Sequence, residues 1–199
     1  RQRQMCIRDS GPTGPIQDLT GLKFTANGQP LKWRRDLLDG WTFHVEVPAG
    51  VSAVNASLDF VSPTGEEGLF TGGASATDKM TVLSWNTVLL YPAGWTSDEL
   101  TYQASLRLPE GWKFGTPLPI ASQSGAELKF NPVPLTTLVD SPVIAGQYLR
   151  IVPLSENPRQ EMDIAADHPG DLDAPQEVLD PYKSLTDQAL KLFGAQHFR

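Results

Sequence analysis

A single cysteine, Cys6, stands among 199 residues. No disulfide can therefore form within the chain, and thiol usage says nothing about its compartment. Histidine is almost as scarce: His44, His168 and His197 are the only three, and none lies four residues from another. That spacing excludes a helix of the His-Glu-x-x-His kind, where two His one turn apart hold zinc and the Glu between them polarises its water. No apolar run reaches the roughly 20 residues that a bilayer-spanning helix needs. A basic excess is missing too: 16 Lys and Arg face 23 Asp and Glu, for a net charge of −7. Nucleic acid and anionic membrane surfaces are disfavoured as main partners, because both require a basic face.

What the chain does have is apolar content and turn residues. Hydrophobic residues make up 40% and aromatics 9%, enough to bury a core, while 17 Gly and 17 Pro argue against a helical bundle. The acids are concentrated: between Ser155 and Asp187 nine of them face only Arg159 and Lys183, and this shift marks a boundary near residue 155. The first ten residues, with three Arg, one Asp and the only cysteine, fit no element and no signal peptide. They read as a translated sequencing adapter, and without them the net charge is about −9. The other terminus, Gln196-His-Phe-Arg199, follows a helix with no closing loop, so the sequence reads as a piece truncated at both ends.

From Gly11 to about Pro153 the periodicity is that of strands. Trp41 to Val47 alternates Trp41, Phe43, Val45 and Val47 with Thr42, His44 and Glu46. Further strands are expected over 53–61, along Met80 to Tyr91, over Leu100 to Leu108 and from Val143 to Val152. Asn27-Gly28, Pro48-Ala-Gly50, Pro63-Thr-Gly65 and Ser124-Gly125 punctuate them. Pro134 to Val139 suits one helical turn with Leu135 and Leu138 inward. Glu161 to Ala165 suits a short strand. Asp173-Ala-Pro-Gln176 has the form of a capping box, and Val178, Tyr182, Leu185, Ala189 and Phe193 then follow at helical spacing up to Gly194. The pattern predicts a mainly β chain, an antiparallel sandwich or saddle-like sheet pair incomplete at its N-terminus, followed by a short strand and an amphipathic helix.

No catalytic, cofactor-binding or metal-binding residue is assigned. His44 belongs on the polar face of a strand and His168 in a loop before Pro169. Asp167, Asp171 and Asp173 lack the Gly and distal Glu of a calcium loop and read as a solvated turn. Asp140-Ser141 has no nucleophile elbow around it. Glu66-Glu67 are adjacent, so on a strand they would point to opposite faces and not flank one bond. Of the five tryptophans, Trp41 and Trp85 read as core, whereas Trp33, Trp95 and Trp112 stand near turns, where exposed rings suit a carbohydrate platform.

Several segments in order carry a resemblance. They are Gly14-Pro-Ile16, Asp18-Leu-Thr-Gly-Leu22, Asn27 to Asp36, Trp85 to Gly94, Leu108 to Pro119, Leu138 to Gly146, and the acidic strand-helix segment ending Leu192-Phe-Gly-Ala-Gln-His-Phe198. Over residues 11 to 199 the chain resembles the glycyl aminopeptidase family of zinc metallopeptidases, the PDZ-containing peptidase family sixty-one. With residues 1–10 read as an artefact, the resemblance implies an N-terminal β-domain over 11–157 and the start of a thermolysin-like catalytic domain over 158–199. It further implies an exported parent whose signal peptide is not in this chain, and whose zinc and PDZ domain are supplied elsewhere. That parent would remove glycine or other small residues from the N-termini of peptides. Here the partner would be the catalytic domain of the same chain, with no cofactor in this piece. A stand-alone β-sandwich binding carbohydrate or protein, and a purely structural sandwich, are the competing readings. With early strands missing, the isolated piece is expected to be poorly soluble or oligomeric.

Overall fold

A computed structural model describes residues 2–3, 16–64, 75–156 and 159–194. Cys6, Glu66-Glu67, His197 and the segment closing the chain lie outside these residues, as do Gly14 and Pro15. The architecture is mainly β, in several small antiparallel sheets, with a long hairpin and an 18-residue helix towards the C-terminus. The chain divides into two compact units, each assembled from separate stretches: Arg1–Ser75, Leu83–Tyr102 and Pro132–Ser141 form one, and Ala76–Val82, Gln103–Asn131 and Pro142–Arg199 form the other.

In the first unit, Leu19–Ala26 is the middle strand of a three-stranded sheet between Gln29–Pro30 and Asn55–Phe60. The turn to Gln29 uses Asn27 and Gly28, both at positive φ, as the Asn-Gly signal demands. A second sheet places Thr42–Val45 between Trp33–Arg35 and the dipeptide Gln2–Arg3. That dipeptide was expected to join no element; it pairs with Phe43 and Thr42. Phe24 and Phe43 are buried, and the Trp33 ring meets each of them edge-on at 5.9 and 5.8 Å. The helical turn Leu135–Val139 forms as expected, with Leu135 and Leu138 in the core.

The second unit orders Lys113–Gly115, Val143–Gly146 and Met80–Leu83 in one sheet, and Ser105–Arg107, Glu127–Phe130 and Ile120–Ser124 in another. Leu128 and Phe130 alternate with exposed Glu127 and Lys129, so one face of that strand is core and the other solvated. Tyr148–Glu156 and Arg159–Ala166 make the long hairpin.

Four expected elements come out shorter or displaced. Met80 to Tyr91 is a strand only as far as Leu83. There Ser84 and Trp85 turn the chain into a 3-10 turn, stabilised by Thr87 Oγ1 donating to the Ser84 carbonyl at 2.7 Å. Trp85 is therefore core, but not within a strand. Leu100 to Leu108 divides into Thr101–Tyr102 and Ser105–Arg107, which pair with different neighbours. Val143 to Val152 divides at Gln147, whose N–H donates to the Lys79 carbonyl. Trp41 is part of a turn and only half-buried, while Thr42, assigned to the polar face, is buried with its hydroxyl donating to Asp39.

The helix Gln176–Phe193 ends at Gly194 in the left-handed conformation, with its N–H on the Leu190 carbonyl. Its start differs from expectation. Pro175 occupies the cap without a side-chain bond, and Gln176 donates to Asp180 one turn on. The reciprocal capping box lies instead at Thr96 and Glu99, where a 3-10 turn begins.

Candidate functional site

An elaborately bonded polar cluster lies in the first unit, on the hairpin connecting Trp33–Arg35 to Thr42–Val45. Three residue pairs set the register, Trp33 with Val45, Arg34 with His44 and Arg35 with Phe43, and the Asp36 N–H closes the turn onto the Thr42 carbonyl. Asp36 then acts as a local cap. Its Oδ1 accepts the N–H groups of Leu38 and Asp39 at 2.9 and 3.0 Å, and its Oδ2 meets His44 Nε2 at 2.7 Å. Asp39 repeats the device, accepting from the Trp41 N–H and the Thr42 hydroxyl. Arg35 Nε closes the far side on the Gly40 carbonyl at 2.6 Å. The His44 bond, followed by the Asp39 and Leu38 N–H groups, holds the Asp36 carboxyl well below its usual range. With the acids of this tip engaged by their own loop, what it displays outward is apolar: Leu37 is 95% and Leu38 99% exposed.

In the second unit the notable group is Asp163, on the Arg159–Ala166 strand. One of its carboxylate oxygens is buried without a hydrogen-bond partner, and burial, then the charge of Glu161, raise its proton affinity. Gly115 makes room for it, because a Cβ there would overlap the Asp163 carboxylate. Asp167 on the same stretch accepts a hydrogen bond from the Thr77 hydroxyl, which explains its place without a metal.

The residues weighed from sequence do not converge. His44 pairs with Asp36, and exposed His168 leads into the 3-10 turn Pro169–Leu172, beside exposed Asp171 and Asp173. Ser141 is buried, and its carbonyl accepts the Trp85 indole N–H at 2.9 Å. Among the described residues no three His, Cys, Asp or Glu side chains gather as a metal site, so these residues do not fit the zinc of a metallopeptidase. Trp33 packs on two phenylalanines, Trp112 lines an open groove of about 480 Å³ with Phe114, Leu149 and Ile151, and Trp95 stays 57% exposed. No helix among the described residues is long and apolar enough to cross a membrane. Hydrophobic periodicity does not reveal the Leu37-Leu38 tip. Its signal was there in Asp-Leu-Leu-Asp, two turn-capping acids bracketing two leucines.

Comparison with known proteins gives the frame for these features. Residues 11–147 match the family described as the Peptidase M61 N-terminal domain. No curated protein matches the chain. Among solved structures, the aminopeptidase N family protein from Idiomarina loihiensis is similar in fold, with a TM-score of 0.69 at 15% identity. The alignment covers 92% of this chain and 30% of that one, so the chain spans under a third of the relative's length.

Proposed function

Because this chain belongs to the family of the peptidase M61 N-terminal domain, we propose that it is the non-catalytic β-domain of a zinc-dependent aminopeptidase. In this reading it supports a catalytic domain that removes glycine or other small residues from the N-termini of peptides. The observation that carries it is the family match over residues 11–147. In this reading the zinc belongs to the catalytic domain, since the sequence holds no His-Glu-x-x-His motif, and no step of the hydrolysis is derived from residues of this chain.

One further feature supports the reading. The helix Gln176–Phe193 buries Leu179 while leaving Val178, Tyr182, Leu185 and Phe193 between 46 and 65% exposed, an apolar stripe suited to a neighbouring domain. In this reading the parent is an exported protein, with a signal peptide before this region and a PDZ domain after the catalytic one.

The test is to read the parent gene beyond Arg199 and assay its product. A His-Glu-x-x-His within about one domain length, and chelator-sensitive release of glycine from a glycyl anilide, are expected. A stop codon directly after Arg199 would overturn the proposal. The exposed Trp95 favours a second reading, a carbohydrate-binding module. That reading fails if no oligosaccharide shifts the tryptophan emission.

A further inference from the structure

The groove of the second unit is apolar along its walls and carries one charge. Trp112, Phe114, Leu149 and Ile151 form the walls, and Lys113 and Gln123 are its polar residues. The strand pattern explains the arrangement. Leu149 and Ile151 stand two apart on Tyr148–Glu156 and share a face, while Trp112 and Phe114 alternate with Lys113 where the chain enters Lys113–Gly115. Lys113–Gly115 and Ile120–Ser124 are each outermost in their sheets among the described residues, so each has a row of backbone groups that its own sheet does not engage. The volume of about 480 Å³ falls within the roughly 300–1,000 Å³ of small-molecule sites, which are likewise apolar with a few polar groups to fix orientation. Lys113 is exposed and makes no ion pair among the described residues. Asp163 stands opposite Ile151 in the strand register. Burial and Glu161 hold it towards its neutral form, so it opposes an incoming anion less than an ordinary aspartate would.

We propose that this groove binds a carboxylic acid with an aromatic or branched apolar body, the body lying against Trp112, Phe114 and Ile151 and the carboxylate on the Lys113 ammonium. The Gln123 amide is the second donor. Charge decides between ligand classes here: the single charged residue lining the groove is a cation without a partner, which suits an acid and repels an amine. A sugar is disfavoured, because most of its hydroxyls would meet apolar walls and lose their hydrogen bonds to water. The same chemistry comes from two sources, a free acid or the C-terminal residue of a peptide, and the peptide could bond in addition to an open strand edge. The site is separate from the hydrolysis proposed above and stands or falls without it.

Labelling with 5-fluorotryptophan tests the proposal, because Trp112 is the one tryptophan of the second unit. Its fluorine signal is the one that disappears in Trp112→Phe. Titration of this chain with 4-phenylbutanoate should move that signal saturably. The neutral 4-phenylbutanamide should bind about three- to tenfold more weakly, as expected for a carboxylate on an exposed cation. Lys113→Gln should abolish that preference and leave the amide's affinity unchanged. Its side chain is exposed, so the fold does not depend on it. Ile151→Glu, at a half-exposed strand position, should weaken both ligands and the acid more. Tighter binding of Gly-Gly-Phe than of N-acetylphenylalanine would support the proposal with a peptide C-terminus as the source, and equal affinities would support it with a free acid. Equal binding of acid and amide, a preference that survives Lys113→Gln, or a shift spread evenly over all five tryptophans would overturn it. Saturation by maltohexaose without any response to the acids would overturn it in favour of a sugar platform.

Discussion

The contact between Gly115 and Asp163 allows a prediction in which the sign of one substitution depends on a second residue. Gly115 ends the Lys113–Gly115 strand and is not among the glycines at positive φ. Alanine there meets no backbone penalty, and restricting the unfolded chain is worth about 0.5–1 kcal/mol in its favour. Against this, the new Cβ would overlap the Asp163 carboxylate and lie 3.0 Å from that residue's Cβ. Overpacking of this kind costs about 1–3 kcal/mol, so Gly115→Ala should destabilise the second unit by roughly 0.5–2 kcal/mol. In an Asp163→Gly background no side chain is left to overlap, and the same substitution should be neutral or stabilising by up to about 1 kcal/mol. The expected coupling between the two sites is about 1–3 kcal/mol. Trp112 is the one tryptophan in that unit, so urea unfolding followed by fluorine NMR of 5-fluorotryptophan protein isolates it. If the two substitutions add to within about 0.5 kcal/mol, the packing argument is wrong.

Asp163 also carries a pH signature. Its folded proton affinity is raised above the ordinary aspartate value of 3.8, so its contribution to stability is complete below that value and is lost as pH rises through the folded one. The stability of wild type relative to Asp163→Asn should therefore fall with rising pH in urea midpoints, and a flat difference would refute the assignment. Asp36 has the opposite sign: its affinity is lowered, and its contribution is present at neutral pH and lost on acidification. Asp36→Ala should speed amide exchange at Leu38 and Asp39 by about tenfold or more, and unchanged exchange would mean that other bonds hold the tip. Trp85→Phe removes the indole donor from the buried Ser141 carbonyl. It should cost about 1–3 kcal/mol in equilibrium unfolding, and a loss under about 0.5 kcal/mol would deny the bond its role.

Turn chemistry and single-face burial were the legible parts of this fold. Asn27-Gly28 takes positive φ and makes its hairpin, Leu135 and Leu138 point inward from one helical turn, and Gly194 stops the last helix. The errors share a cause: a run of apolar residues does not record where the chain changes partners. Val143 to Val152 reads as one strand, yet Gln147 lies between two strands of different sheets. Met80 to Tyr91 fails as one strand for a related reason. Ser84 and Thr87 bond locally, and Trp85 takes its partner 56 residues away in sequence. Asp173 and Gln176 have the spacing of a capping box, but Pro175 occupies the cap position and Gln176 bonds to Asp180 within the helix instead.

The functional features were legible in proportion to how far they depend on shape. Family-specific runs rich in Gly, Pro and Trp pointed to the peptidase resemblance, because those residues fix backbone geometry over many positions at once. The Leu37-Leu38 tip escaped the same reading for a physical reason. Periodicity detects residues that share a face with a core, and these leucines share a face with nothing in their own unit. The helix stripe differs: its spacing is regular, so amphipathicity was predicted, but spacing alone cannot say whether the apolar face is covered by its own unit or by another. The structure answers for one position only, Leu179, which is buried while Val178 and Tyr182 beside it remain half exposed. An 18-residue helix that contains Pro181 and sinks one leucine draws little of its stability from packing, and helices in water owe most of theirs to an apolar face that is covered. The stripe and the tip thus make the same physical demand, each within its own unit. Under the function proposed above, that uncovered apolar surface is where a supporting role is to be tested.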